Sequence, residues 1–143
     1  MKKIIKFLPV FMLLIINNSY SQQIMKTVND AEKIKSNEQL FVNKPLKTLL
    51  KEIGPEIKMV TANPSKSSNS RLGYFTFRFV DTKKYDSCRQ KNKYPKQITV
   101  FVKESFEWDV NSSKKSKWTN SDLVKYGELT VVGIRVFGES INY

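Results

Sequence analysis

Three acidic side chains crowd one short stretch of the chain: Glu104, Glu107 and Asp109. Two carboxyl groups roughly 5 to 10 Å apart can hydrolyse a glycosidic bond, one acting as acid and the other as nucleophile or base. Asp122 and Glu128 follow and widen the choice of partners for Glu107. A regular strand, however, sends alternate side chains to opposite faces, which separates Glu104 from Glu107 and Asp109. A carboxylate-dependent hydrolase of envelope glycan or ester substrates is therefore the enzymatic alternative for this chain. No catalytic residue is assigned to it.

Other chemistries lack their residue types. The chain has no histidine and a single cysteine, Cys88. Ser-His-Asp and Cys-His nucleophiles are thereby removed, as are the imidazole ligands that most catalytic zinc sites use. Neither a GxGxxG nor a GxxxxGK[ST] pattern occurs among the five glycines, so the common phosphate-binding loops are missing. No cofactor or metal is expected. The neighbours Lys84, Arg89 and Lys91 would favour a Cys88 thiolate, but with no imidazole to act as its base the cysteine reads as structural.

Residue types suited to recognition are more abundant. Tyr74, Arg78, Tyr85, Arg89, Tyr94, Trp108 and Trp118 lie in or near lysine-rich segments. Tyrosine, tryptophan and arginine dominate interface hot spots, and these seven are the candidate recognition surface. The segment RLGYFTFRFV (71–80) superficially resembles the aromatic strand of an RNA-recognition motif. Leu72 departs from that pattern and no companion strand is evident, so Phe75, Phe77 and Phe79 are assigned to the core, and nucleic acid is not the expected partner.

The opening residues MKKIIKFLPVFMLLIINNSYSQQ read as a signal peptide. Lys2, Lys3 and Lys6 form the basic start, Phe7 to Ile16 the apolar block, and Ser19 and Ser21 the small residues of a cleavage site. The apolar block is shorter than the ~20 residues a spanning helix needs. Cys88 is too far from it to carry a lipid anchor. Cleavage makes the protein secreted or periplasmic and divides the chain into 1–21, a polar arm or short helix at 22–38, and one α+β domain at 39–143. Without Lys2, Lys3 and Lys6 the basic residues fall from 25 to 22 against 13 acidic, leaving a net charge of +9. Such a field favours anionic partners.

The elements that must position these residues follow from spacing. Val28, Ala31 and Ile34 suit one side of a short helix beginning near Asn29 or Asp30. Leu46, Leu49, Leu50 and Ile53 form a buried helical stripe, with Asn43 as N-cap, Pro45 in the first turn and Gly54 as C-cap. Strands are expected over 57–62, 74–81, 97–106 (extending toward Val110) and 129–137, the last with Val132, Ile134 and Val136 on one face. Residues 82–96 read as a connection with one helical turn, and 111–117 as an exposed loop. Thr119 to Asp122 should cap a short helix ending at Gly127. The expected fold class is α+β: an N-terminal amphipathic helix packed on a three- to four-stranded antiparallel sheet, with short helical insertions between strands. The leading functional reading is an exported, non-enzymatic binding module that contacts an envelope protein or an anionic glycan. Mass spectrometry of the native protein should find Gln22 at the N-terminus, free or cyclised; an intact Met1 in a cytosolic fraction would overturn the export reading.

Overall fold

The computed structural model describes residues 22–65, 72–108 and 117–141. The leader, most of the exposed loop at 111–117, and Asp109 with the strand extension to Val110 lie outside them. Alternation along the apolar segments builds one antiparallel sheet of β1 (Met59–Asn63), β2 (Gly73–Arg78), β3 (Gln97–Val102) and β4 (Val131–Phe137), in sequence order. Four helices complete the α+β arrangement: α1 (Ala31–Ser36), α2 (Leu46–Leu50), α3 (Thr82–Gln90) and α4 (Asn120–Tyr126).

Register lines up Val60, Phe77, Ile98 and Val136 in one row across the strands, and Ala62, Phe75, Val100 and Ile134 in the next. Both rows face the core, where Met25, Ala31, Ile34, Phe41, Leu46, Leu49 and Tyr126 cover them. Phe75 is the centre of an aromatic cluster that includes Phe106, Trp108, Trp118 and Tyr126, with ring centroids 4.5 to 5.8 Å away.

A single 3-10 turn at Val28–Asp30, just before α1, and α4 begin with the same device. The Asp30 carboxylate accepts from the Thr27 amide and hydroxyl, and Asp122 does the same for Thr119. Threonine followed three residues later by an acidic side chain ties down donors that a helix start leaves unpaired. The Lys33 ammonium, together with the Thr27 amide and hydroxyl, pulls the Asp30 carboxyl down to about 2.

Several elements depart from the spacing that predicts them. The Leu46–Ile53 stripe implies two to three turns, yet α2 ends at Leu50. Ile53 leaves it to bridge Met25 in parallel, with Gly54 donating to the Met25 carbonyl at 2.8 Å. Gly54 is therefore no left-handed cap; a Cβ there would lie 2.8 Å from that carbonyl. Asn43 is not the N-cap either. It sits at φ 64 and donates to the Val131 carbonyl, while Leu46 and Lys47 donate to the carbonyls of Leu129 and Gly127. The start of α2 is thus satisfied by the backbone leading into β4.

The β4 alternation also shifts. Val102 pairs with Val131 and Phe101 with Gly133, which makes Val132 the extra residue of a bulge. Val131 consequently takes the fully buried place expected for Val132. β2 stops at Arg78 because Asp81 accepts the Lys84 amide at 2.8 Å and caps α3. The nine residues of α3 replace the expected single turn. The helix carries little apolar periodicity because it lies on the surface, with Cys88 its one buried residue.

β3 likewise ends at Val102 rather than continuing through Phe106. Lys103 donates to the Thr130 carbonyl, and Glu104 accepts from the Thr130 amide at 2.7 Å and hydroxyl at 2.5 Å. No helix among the described residues is long and apolar enough to cross a membrane. Burial raises the Glu104 carboxyl, but the Thr130 hydroxyl and amide outweigh it and hold the group below its ordinary 4.5. A depressed carboxyl contributes stability above its unfolded value and loses it as pH falls through the folded one. Glu104→Gln should lower unfolding stability by about 1 kcal/mol at pH 7, and urea titrations should show that difference shrinking below pH 4.5. A difference unchanged in acid would contradict this role.

Candidate functional site: the uncovered face of the sheet

The other face of the sheet has three cross-strand rows. The first is Met59, Arg78, Gln97 and Phe137; the second Thr61, Thr76, Thr99 and Arg135; the third Asn63, Tyr74, Phe101 and Gly133. None of these positions carries a carboxylate. α3 walls the first row at one end, where the Thr82 hydroxyl lies 3.5 Å from the Met59 sulfur and the Tyr85 ring lies against Arg78.

Both arginines are held in place by uncharged groups. Arg78 donates from Nε to Gln97 Oε1 at 2.7 Å and from Nη1 to Thr61 Oγ1 at 3.1 Å, with its guanidinium 4.6 Å from the Tyr85 ring centre. The Arg135 guanidinium lies 5.3 Å from the centre of Phe101, whose ring in turn contacts Tyr74 at 5.6 Å. Between them the Thr76 and Thr99 hydroxyls pair at 3.0 Å. Cation–π contact fixes a guanidinium plane without consuming its charge. Among the described residues the ion pairs all use lysine: Lys33–Asp30, Lys35–Glu38, Lys47–Glu128, Lys96–Glu32 and Lys117–Glu56. Glu38 lies at the β4 rim beside Gly133, but it accepts from the Ile134 amide at 2.6 Å and pairs with Lys35. The Lys35 ammonium and that amide hold the Glu38 carboxyl low against the upward pull of burial.

The seven residues picked out by type do not converge on one surface. Tyr74, Arg78 and Tyr85 meet on this face or its α3 wall, and Tyr94 stacks edge-on with the exposed Phe137 at 5.6 Å. Arg89 is exposed on α3. Trp108 and Trp118 belong to the opposite layer, edge-on to Phe75 at 5.7 and 5.8 Å. Gln97, Thr99, Phe101, Arg135 and Phe137 were not among the candidates. The alternation of QITVFV and of GIRVF already sets them opposite the core residues, which is the signal that finds them.

Two of the acidic candidates are structural ties. Asp122 is buried beneath its own helix start and Glu104 holds Thr130. Glu107 is exposed beside a depression of about 450 Å³ lined by Pro64, Ser65, Phe106, Trp108 and Lys125, in which it is the single carboxylate among the described residues. Among the described residues no cluster of acidic or thiol groups could hold a metal ion. No protein-family model matches the chain, and no curated protein or solved structure is significantly similar to it.

The two layers make opposite predictions. Trp118→Ala should cost about 3 kcal/mol in urea unfolding, as for a core aromatic. Arg135→Ala should change stability by no more than about 0.5 kcal/mol, as for an exposed surface site. A large loss for Arg135→Ala would make this face structural.

Proposed function

We propose that this chain is an exported, non-enzymatic binding module that contacts an envelope protein or an anionic glycan through the uncovered sheet face. The observation that carries the reading is a set of sheet-face positions with two ring-braced guanidiniums and no carboxylate, while the ion pairs among the described residues use lysine. In this reading the amphipathic segment Leu46–Ile53 closes the inner layer and leaves the other face to a ligand. The leader directs the protein to the periplasm or beyond, and the net positive charge of the remaining chain draws anionic partners toward it. Aromatic and arginine side chains together are the usual material of recognition surfaces.

Two affinity experiments test it. The chain from Gln22 onward, immobilised, is challenged with envelope extract, and the same chain is run on a heparin-type column, each at low and high salt. Retention at low salt should weaken markedly in the Arg78→Ala, Arg135→Ala double variant. If neither experiment retains anything, the reading fails.

A further inference from the structure

Resting on that reading, we infer that the ligand of this face is a linear polysaccharide bearing carboxylates, with separate carboxylates of one strand taken by Arg78 and Arg135. Arg78 on β2 and Arg135 on β4 are separated by two inter-strand steps and one cross-strand row. Strand spacing of about 4.8 Å and a rise of about 3.4 Å per residue put their backbones roughly 12 Å apart. A lone carboxylate reaches one guanidinium, whereas a polymer with repeating charge reaches both. The planar guanidinium edge matches a carboxylate in a two-point bond.

The surroundings select among polyanions. An extended acidic peptide draws its main affinity from backbone bonds at a sheet edge. Of the two edges, β4 is already engaged, by Glu38 on the Ile134 amide and by the Lys44 carbonyl on the Val131 amide, and a strand added at β1 would lie four inter-strand steps from Arg135. The open face presents side chains, not free backbone groups. Single-stranded nucleic acid relies on a run of exposed ring faces for base stacking, but Phe101 and Tyr85 carry guanidiniums on theirs, and the exposed rings Phe137 and Tyr94 sit edge-on to each other at one end of the face. What remains is hydroxyl and amide chemistry: Thr99 and Gln97 on β3 between the two cations, and Thr61 and Asn63 on β1 beyond Arg78. That combination matches a strand rich in hydroxyls with carboxylates at intervals.

The test is titration calorimetry of the chain from Gln22 onward against four probes: polygalacturonate, its fully methyl-esterified form, dextran sulfate and oligothymidylate. Polygalacturonate should bind, and the esterified polymer should not. Arg78→Ala and Arg135→Ala should each weaken binding about tenfold, the loss of one charge-assisted contact. Arg135→Lys, which keeps the charge and loses the fork, should fall nearly as far, while Lys51→Ala should bind like the parent. Thermal melts of each variant confirm that it folds.

Equal losses for Lys51→Ala and the arginine variants would reduce the effect to net charge and overturn the inference. Tighter binding of oligothymidylate or dextran sulfate than of polygalacturonate would overturn it in favour of those classes. If every polysaccharide fails but the arginine-dependent capture from envelope extract persists, this inference falls and the binding-module reading stands. If both fail, both are wrong.

Discussion

Phe75 is the contact on which the rest of the molecule depends. It lies fully buried on β2, and its ring touches Phe106 from the segment after β3, Trp118 from the approach to α4, and Tyr126 from α4 itself. Trp108 completes the ring of neighbours, and the Tyr126 hydroxyl donates to the Glu107 carbonyl at 2.7 Å. Aromatic pairs of this kind add to the stabilisation from burial alone. The cluster holds Phe106 and Trp108, which follow β3, and Trp118 and Tyr126, which precede β4, over one face of the sheet. On the other face Thr61, Asn63, Arg135 and Phe137 are exposed, while Met59 and Thr76 are buried.

Electrostatic arrangement follows from that division of labour. Half of the described acids hold the fold locally or tie elements together: Asp30, Asp81 and Asp122 at helix starts, Glu38 and Glu104 on β4 and its approach, and Glu52 on the Ile24 amide. A carboxylate placed on a backbone amide or a helix start is well satisfied there. The two arginines of the outer face are therefore left with neutral partners. Their ring supports restrict the guanidinium planes, which lowers the ordering cost that a ligand must meet.

The apolar alternation of β2 and β3 was readable in the sequence, because a period of two needs only residue types. Thr119 and Asp122 announced α4 by the same logic, through a capping pattern local to four positions. α3 was not readable, since TKKYDSCRQ has no apolar stripe; its helix depends on Asp81 as cap and on Arg78 lying across Tyr85. The shortened α2 was equally hidden. Its end is decided by Met25, far back along the chain, which captures Ile53 and Gly54. The β4 bulge arises from pairing with β3, and no feature of LTVVGIRVF marks Val132 as the residue left out.

For the candidate face the division is similar. Residue types and alternation by themselves determined which side chains could share a face: Tyr74 with Arg78, Thr99 with Phe101, and Arg135 with Phe137. Tertiary structure alone decided that β2, β3 and β4 lie side by side in this register, which sets Arg135 over Phe101 and Tyr74 against it. It also sent Trp108 and Trp118 to the core layer, away from the other aromatic candidates. The physical reason is range: period and capping act within a few residues, whereas strand order and the choice of covered face come from contacts between segments far apart in the chain.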